Sequence, residues 1–392
     1  MRNYRAFLRE DNHMAEHSPR IKIVHLVTRM NTGGVAVLIG NLVRGLDPKI
    51  FEVTLLVGLC DSTEEDYLEK IATDIPFIKI LSLQKRISLF SDMKAFSELR
   101  KLLLKLQPDI LHTHTSKAGL LGRLVAIASL PKTKRIHTFH GHLLDGYFSK
   151  MKSLVFTKIE VSLAKKTHVL IAMGNQVKAD LLNVGVGGED KYKVFFPGLK
   201  NPSVKPTVQA REELGLALGE TYCLFVGRLT QIKRPDRLLE TFEILKKRNI
   251  QIKLLIVGDG ELKESINNRL SELKLPAQML GWVADTSTVF SAADMLVLTS
   301  DNEAVSLVLI EASQYGLPLI STHVGSVADV VIDNSTGYLT QKSPTAMADA
   351  IEKLVRDPEL RKIMGAAGKA RASQYFSLER MISDHSNLYK GL

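Results

Sequence analysis

Short, unbroken apolar runs alternate along this chain with glycine turns and amphipathic stretches. The run 21–30 (IKIVHLVTRM) leads into Asn31-Thr32-Gly33-Gly34, and 35–47 (VAVLIGNLVRGLD) then carries apolar residues at helical spacing. The same unit recurs. Segments 51–59 (FEVTLLVGL), 77–83 (FIKILSL), 109–114 (DILHTH), 134–141 (KRIHTFHG) and 167–174 (THVLIAMG) read as strands. Segments 66–76, 91–107, 117–130 and 148–166 read as helices. Strands that are apolar throughout are buried on both faces, and strands alternating with helices give a parallel sheet covered on both sides.

The alternation stops at 194–209 (VFFPGLKNPSVKPTVQ), where three prolines and a glycine fall without periodicity. It restarts with strands at 222–229, 252–260, 277–283, 293–300, 318–325 and 337–340 and helices at 234–249 and 261–274. The closing stretch 377–392 predicts a helix with Ser377 as N-cap. The expected organisation is a loose tail (1–20), a first doubly wound domain (21–198), a linker (199–208), a second doubly wound domain (209–374) and a terminal helix (375–392). The fold class is α/β, with two Rossmann-like domains. Such domains bind ligands at the carboxyl ends of their strands, so two facing one another enclose a cleft.

Composition narrows the setting. No apolar run reaches the roughly 18 residues of a membrane span, and 117–130 is broken by Arg123. The two cysteines, Cys60 and Cys223, read as reduced residues of a cytoplasmic protein. The net charge of +10 is lopsided: residues 1–200 hold 30 Lys+Arg and 19 Asp+Glu. A basic first half suits a phosphorylated substrate or anionic lipid, or is simply a solvated surface. Zinc-finger spacing, a basic region with heptads and RNP-like aromatics are all missing from the sequence, which argues against a nucleic-acid partner.

Candidate chemistry lies at strand ends. Gly33 and Gly34 would let backbone approach a phosphate in front of a helix N-terminus. A full G-x-G-x-x-G fingerprint and a Walker motif are both lacking, which disfavours dinucleotide dehydrogenases and P-loop NTPases. Arg228 and Lys233 follow a strand, where cations can neutralise a diphosphate. Glu303 follows another strand, and Glu311 sits eight positions later inside an apolar stretch (SLVLIEASQYGLPLI). A carboxylate there needs a partner, and a ribose diol offers two hydroxyl donors. Val305, Ser306 and Leu307 would open the intervening helix with free N–H groups. Five of the eleven histidines fall in two segments, His112 and His114, then His137, His140 and His142. H-x-H on a strand puts both rings on one face, so a metal site is one reading and a wall of a substrate site another. No Cys or carboxylate ligand accompanies them, which argues against zinc.

With "VGRL…K", "LIVGDGEL", "EAVSLVLIE" and "GLPLISTHVGS" in this order, the chain resembles the retaining GT-B glycosyltransferases of family 4 over nearly its whole length. The resemblance implies that Arg228 and Lys233 bind the donor diphosphate, Glu311 the ribose hydroxyls and Glu303 the donor sugar. It implies that backbone from Gly258 to Glu261 and from Gly281 to Trp282 surrounds the base, that Gly34 approaches the phosphates, and that His140 lies beside the reacting sugar. His114, Lys117 and His142 are expected on the acceptor side. No metal or other cofactor is expected, and this chain has no D-x-D pair. One departure stands out: Ala304 occupies a position usually glycine, and Val305-Ser306 replaces an aromatic–glycine pair.

The segments around the histidines resemble bacterial transferases of polysaccharide assembly. They imply a nucleotide-sugar donor, a UDP-sugar ahead of a GDP-sugar, and a glycan or lipid-linked acceptor. The helix at 148–166 and the basic first half suit peripheral contact with an anionic membrane at its cytoplasmic face. The alternatives are a UDP-sugar 2-epimerase on the same fold, an inactive nucleotide-sugar-binding protein, and a metal hydrolase built on the histidines.

Overall fold

Among the described residues, thirteen parallel strands fall into two sheets. The structure, a computed structural model, describes residues 19–392 except 63, 142–149 and 284, and leaves the side chains of 150–152 undescribed. Residues 1–18 of the expected tail lie outside it. The first sheet comprises β1 (Ile21–Val27), β2 (Phe51–Val57), β3 (Phe77–Lys79), β4 (Ile110–His114), β5 (Lys134–Phe139), β6 (Val169–Ala172) and β7 (Tyr192–Val194). Its order is β3-β2-β1-β4-β5-β6-β7. The second comprises β8 (Tyr222–Val226), β9 (Lys253–Val257), β10 (Ala277–Gly281), β11 (Met295–Leu298), β12 (Leu319–Thr322) and β13 (Gly337–Thr340). Its order is β10-β9-β8-β11-β12-β13. The fold is thus two Rossmann-like α/β units of the GT-B kind.

The topology places the site. In each sheet the winding direction reverses once, between β1 and β4 and between β8 and β11. A crevice opens at the carboxyl ends of such a pair. The turns after these four strands carry Gly33 and Gly34, the residues following His114, Arg228 with Lys233, and Glu303.

Several local expectations change. Only Tyr67–Lys70 of the segment 66–76 is helical. The Ile71 and Ala72 N–H groups both turn back to the Tyr67 carbonyl, and Pro76 lies just ahead of β3. β7, three residues long and carrying Lys193, lacks the apolar run that marks the other strands. Helices Asn175–Asn183, Pro344–Arg356 and Pro358–Tyr375 add to those expected. Arg123, which breaks the apolar pattern of helix Ser116–Ser129, is fully buried; its guanidinium donates to both Glu160 oxygens at 2.7 and 2.8 Å. Among the described residues no helix is long and apolar enough to cross a membrane.

The chain passes between the sheets twice, side by side. Leu199 N–H donates to the Phe376 carbonyl (2.9 Å), and Leu378 N–H donates to the Leu199 carbonyl (3.0 Å). Ser377 then caps helix Leu378–Lys390 by accepting from Arg380 N–H. This helix returns to the first sheet. Arg380 donates to the Phe196 carbonyl at 2.5 Å. Tyr389 packs edge-on against Phe51 and is hydrogen-bonded through its hydroxyl to His112 Nδ1 at 2.7 Å. Removing one partner of a buried hydrogen bond leaves the other desolvated and unpaired. Tyr389→Phe is therefore expected to lower the unfolding free energy by about 1–3 kcal/mol in urea titrations, with far-ultraviolet circular dichroism unchanged.

Candidate functional site

The second unit supplies a charged wall. After β8 the chain forms a tight turn at Gln231–Lys233, and Arg234 follows at φ 51°. Arg234 is hydrogen-bonded to Asp236 at 2.8 Å and to Asp301 at 3.0 Å. Asp301 also accepts from Arg237 at 2.7 Å, so the β8 and β11 turns are clamped together. This clamp brings Lys233 to Glu303. Lys233 Nζ lies 2.5 Å from Glu303 Oε1, which also accepts from Ser300 Oγ at 2.6 Å. Glu303 is buried. Arg228 is exposed, and its side chain has no ion-pair partner among the described residues.

The turn after β9 presses onto this wall. Gly258 has φ +140°, and a Cβ there would lie 2.0 Å from the Gly227 carbonyl oxygen, so only glycine fits. Gly227 and Leu229 donate to the Val257 and Asp259 carbonyls, and Gly258 donates to the Gly281 carbonyl. The backbone expected around a base, 258–261 and 281–282, is thereby tied to the Arg228 loop. Glu261 and Trp282 are both exposed beside it.

Helix Leu307–Gln314 begins where the sequence places it, with Ser306 as its N-cap. Ser306 makes no side-chain cap bond, and the first N–H groups of a helix have no partner within it. Val305 leads into this end and is buried. Glu311 lies one turn further on, half-buried, and its carboxylate has no hydrogen-bond partner among the described residues. Burial raises its pKa to about 7.

The first unit closes in from the other side. A Cβ on Gly34 would meet Leu307 Cδ1 at 3.0 Å, and one on Gly141 would meet the Ala304 Cβ at 3.4 Å. The Gly33-Gly34 turn and the residue after His140 therefore both face the segment 304–307. His140 Nε2 lies 3.0 Å from His114 Nδ1, and His114 Nε2 lies 3.0 Å from His25 Nδ1. The three rings form one hydrogen-bonded chain running from the core of the first sheet to its edge at the cleft.

Two of the residues expected on the acceptor side have partners within the protein. His114 is fully buried and both its ring nitrogens are engaged, so it stands behind His140 and does not reach an acceptor. The Lys117 ammonium is held by Asp92 and by the Arg86 carbonyl, so it joins two segments of the first unit. His142 lies outside the described residues. His25 and Tyr389 belong to this network, and the sequence reading missed both. His25 is the one buried polar position of β1, and only the β1–β4 register, which sets it beside His112, exposes its role.

Nitrogens of His25, His112 and His114 lie within 4.8 Å of one another, as a metal site would require. Their hydrogen bonds speak for another use. His112 is bonded through Nε2 to Thr138 Oγ1 and through Nδ1 to Tyr389, so it has no spare lone pair.

Two family profiles match the chain in tandem: "Glycosyltransferase Family 4" over residues 32–199 and "Glycosyl transferases group 1" over 208–371. A UDP-Gal:alpha-D-GlcNAc-diphosphoundecaprenol alpha-1,3-galactosyltransferase of Escherichia coli is 29% identical, with 94% of this chain and 97% of the relative aligned. The Staphylococcus aureus capsular polysaccharide biosynthesis glycosyltransferase CapM is 26% identical, over 94% of this chain and 96% of its own. Among solved structures, Anabaena HepE in complex with UDP superposes with a TM-score of 0.81 at 19% identity, covering 95% of this chain and 100% of that one.

The histidine network dictates a pH response. Burial lowers the pKa of His25 to about 3 and of His140 and His385 to about 4, and holds His112, His114 and His137 well below the ordinary value. All six stay neutral in the fold, whereas in the unfolded chain they protonate near pH 6.5. The unfolded state then binds more protons, so stability is full above pH 6.5 and is lost as pH falls towards 4. Urea midpoints are expected to be nearly flat from pH 8 to 7 and to drop steeply below 6.5. The slope should correspond to uptake of up to about six protons on unfolding near pH 5.

Proposed function

Because the chain belongs to the group 1, family 4 glycosyltransferases, we propose that it retains anomeric configuration while moving a sugar from a nucleotide-sugar donor. The donor is a UDP-sugar rather than a GDP-sugar, and the acceptor is a glycan or lipid-linked sugar in cell-surface polysaccharide assembly. The observation that carries this reading is the Lys233–Glu303 pair beside the unpartnered Glu311 carboxylate, with His140 on the facing unit. The names of the E. coli relative and of the UDP-bound Anabaena structure support uracil as the base.

Cleaving the anomeric C–O bond puts positive charge on the sugar and negative charge on the departing phosphate. Arg228, Lys233 and the N–H groups at Val305, Ser306 and Leu307 stabilise that phosphate. An incoming diphosphate draws Lys233 from Glu303 and so frees Glu303 for hydroxyls of the donor sugar. Glu311 accepts from the ribose diol. His140 lines the sugar opposite Glu303. The leaving phosphate takes the acceptor proton in a front-face transfer, because no carboxylate is assigned as nucleophile. We read the reaction as independent of metal, since the cations it needs are on the chain. Closure of the two units limits hydrolysis. The enzyme works at the cytoplasmic face of a membrane, where a lipid-linked acceptor is presented.

A ligand that binds only the native state raises the melting temperature. UDP is expected to do so, and GDP and ADP to do so much less. Glu303→Ala is expected to keep the UDP shift and to lose about 10²-fold or more in transfer from a UDP-sugar to a GlcNAc-diphospholipid. Release of an epimerised free sugar at full rate without acceptor would replace the transferase reading by the epimerase one.

A further inference from the structure

A cavity of about 720 Å³ opens in the first unit, away from the donor cleft, between helices Leu89–Leu106, Ser116–Ser129 and Lys150–Lys165. Apolar side chains make most of its wall, among them Leu120, Leu121, Phe156, Ile159, Leu181 and Val186. A volume of this size with an apolar lining and few polar groups suits a ligand. One wall starts at Ser116 and Lys117, two residues beyond His114, whose ring touches His140. The cavity therefore begins beside the end of the cleft where the acceptor must enter.

Its charges leave a cationic rim. Asp92 is paired with Lys117, and Glu160 with Arg123. Among the lining residues this leaves Lys85 and Arg86 against Asp61. Lys85 is 4.0 Å from its nearest carboxylate, on Glu64, and Arg86 has no ion-pair partner among the described residues. Around the mouth large apolar side chains face solvent: Ile87 is 69% exposed and Phe90 85%, with Leu89, Met93, Leu154 and Val155 also exposed. Exposed apolar groups gathered beside an apolar cavity mark a binding surface. Cations interspersed with them (Lys85, Arg86 and Lys94) match the polar–apolar boundary of a membrane.

We propose that this cavity holds the proximal hydrocarbon of a prenyl-diphosphate-linked acceptor, with Arg86 and Lys85 at the diphosphate and the acceptor sugar directed towards His140. The inference rests on the transferase reading and specifies its acceptor. A prenyl diphosphate combines the two chemistries on the page, an apolar chain for the cavity and an anion for its rim. The exposed collar gives the remainder of the chain a path into a bilayer.

The full chain, saturated with UDP to occupy the donor cleft, is titrated calorimetrically with geranyl, farnesyl and geranylgeranyl diphosphate and with inorganic diphosphate. Affinity is expected to rise by at least about tenfold from geranyl to geranylgeranyl, because each added methylene is buried. Inorganic diphosphate should bind weakest. Leu120→Trp, which fills the cavity, should weaken farnesyl diphosphate by about tenfold or more and leave the UDP-induced melting shift in place as proof of folding. Arg86→Ala should weaken every prenyl diphosphate and spare UDP. Equal affinity for all chain lengths overturns the proposal, as does farnesyl binding indifferent to Leu120→Trp. A concentration-dependent dimer broken by Phe90→Ser, without prenyl binding, also overturns it and assigns the face to a second copy of the chain. Failure of UDP to bind would count against the donor site, and the chain-length series would still decide the cavity.

Discussion

The site depends on how closely two backbones approach. Gly34, after β1, lies against Leu307, at the N-terminus of a helix in the other unit; even a methyl group at 34 would sit 3.0 Å from the Leu307 side chain. Gly141, after His140, lies in the same way against Ala304. At these two places the strand ends of one sheet face the strand ends of the other across a single segment, 303–307. That segment carries a carboxylate, a turn and the open end of a helix, the features a charged sugar donor needs. The double crossing at Leu199 and Leu378 and the Tyr389–His112 bond fix the units' relative position from behind.

Charges in the cleft are set against one another within the protein. Lys233 and Glu303 neutralise each other, and Ser300 holds the carboxylate in place. The pair is mostly buried, and breaking it without a replacement would leave a desolvated charge. In the proposed reaction the donor diphosphate is that replacement. Glu311 has no such pairing, and its raised pKa records the energetic cost of an ionised carboxylate without donors around it. The first wall, by contrast, is kept neutral. Buried imidazoles from β1, β4 and the end of β5 bond to one another and present His140 without net charge.

Much of this was legible in the sequence, for identifiable reasons. Apolar runs punctuated by glycine gave the parallel sheets, because strands covered on both faces are mostly apolar along their length. Glu303, Glu311, Arg228 and Lys233 stood out because charged residues just after apolar strands, or inside an apolar helix, need an explanation. The histidines were harder. His112 and His114 share a face of β4, as the two-residue period demands, but whether that face looked at solvent, metal or protein depended on His25 and Tyr389, far away in sequence. The partners of Lys117, Asp92 and the Arg86 carbonyl, were not legible because sequence does not reveal which segments meet its ammonium. The exposed apolar collar at 87–93 escaped notice because helical spacing alone does not say which face is covered.

The central claim is that Glu311 meets the donor's ribose. The direct measurement is calorimetric binding of a UDP-sugar, whose phosphates do not titrate near neutrality, at pH 7 in buffers of different ionisation enthalpy. With its pKa at about 7, Glu311 is roughly half protonated in the free protein. The account predicts that the wild type releases about half a proton as the carboxylate ionises to accept the ribose hydroxyls. Glu311→Gln should bind at least about tenfold more weakly and release none. Equal affinity and unchanged proton release in Glu311→Gln would contradict the account.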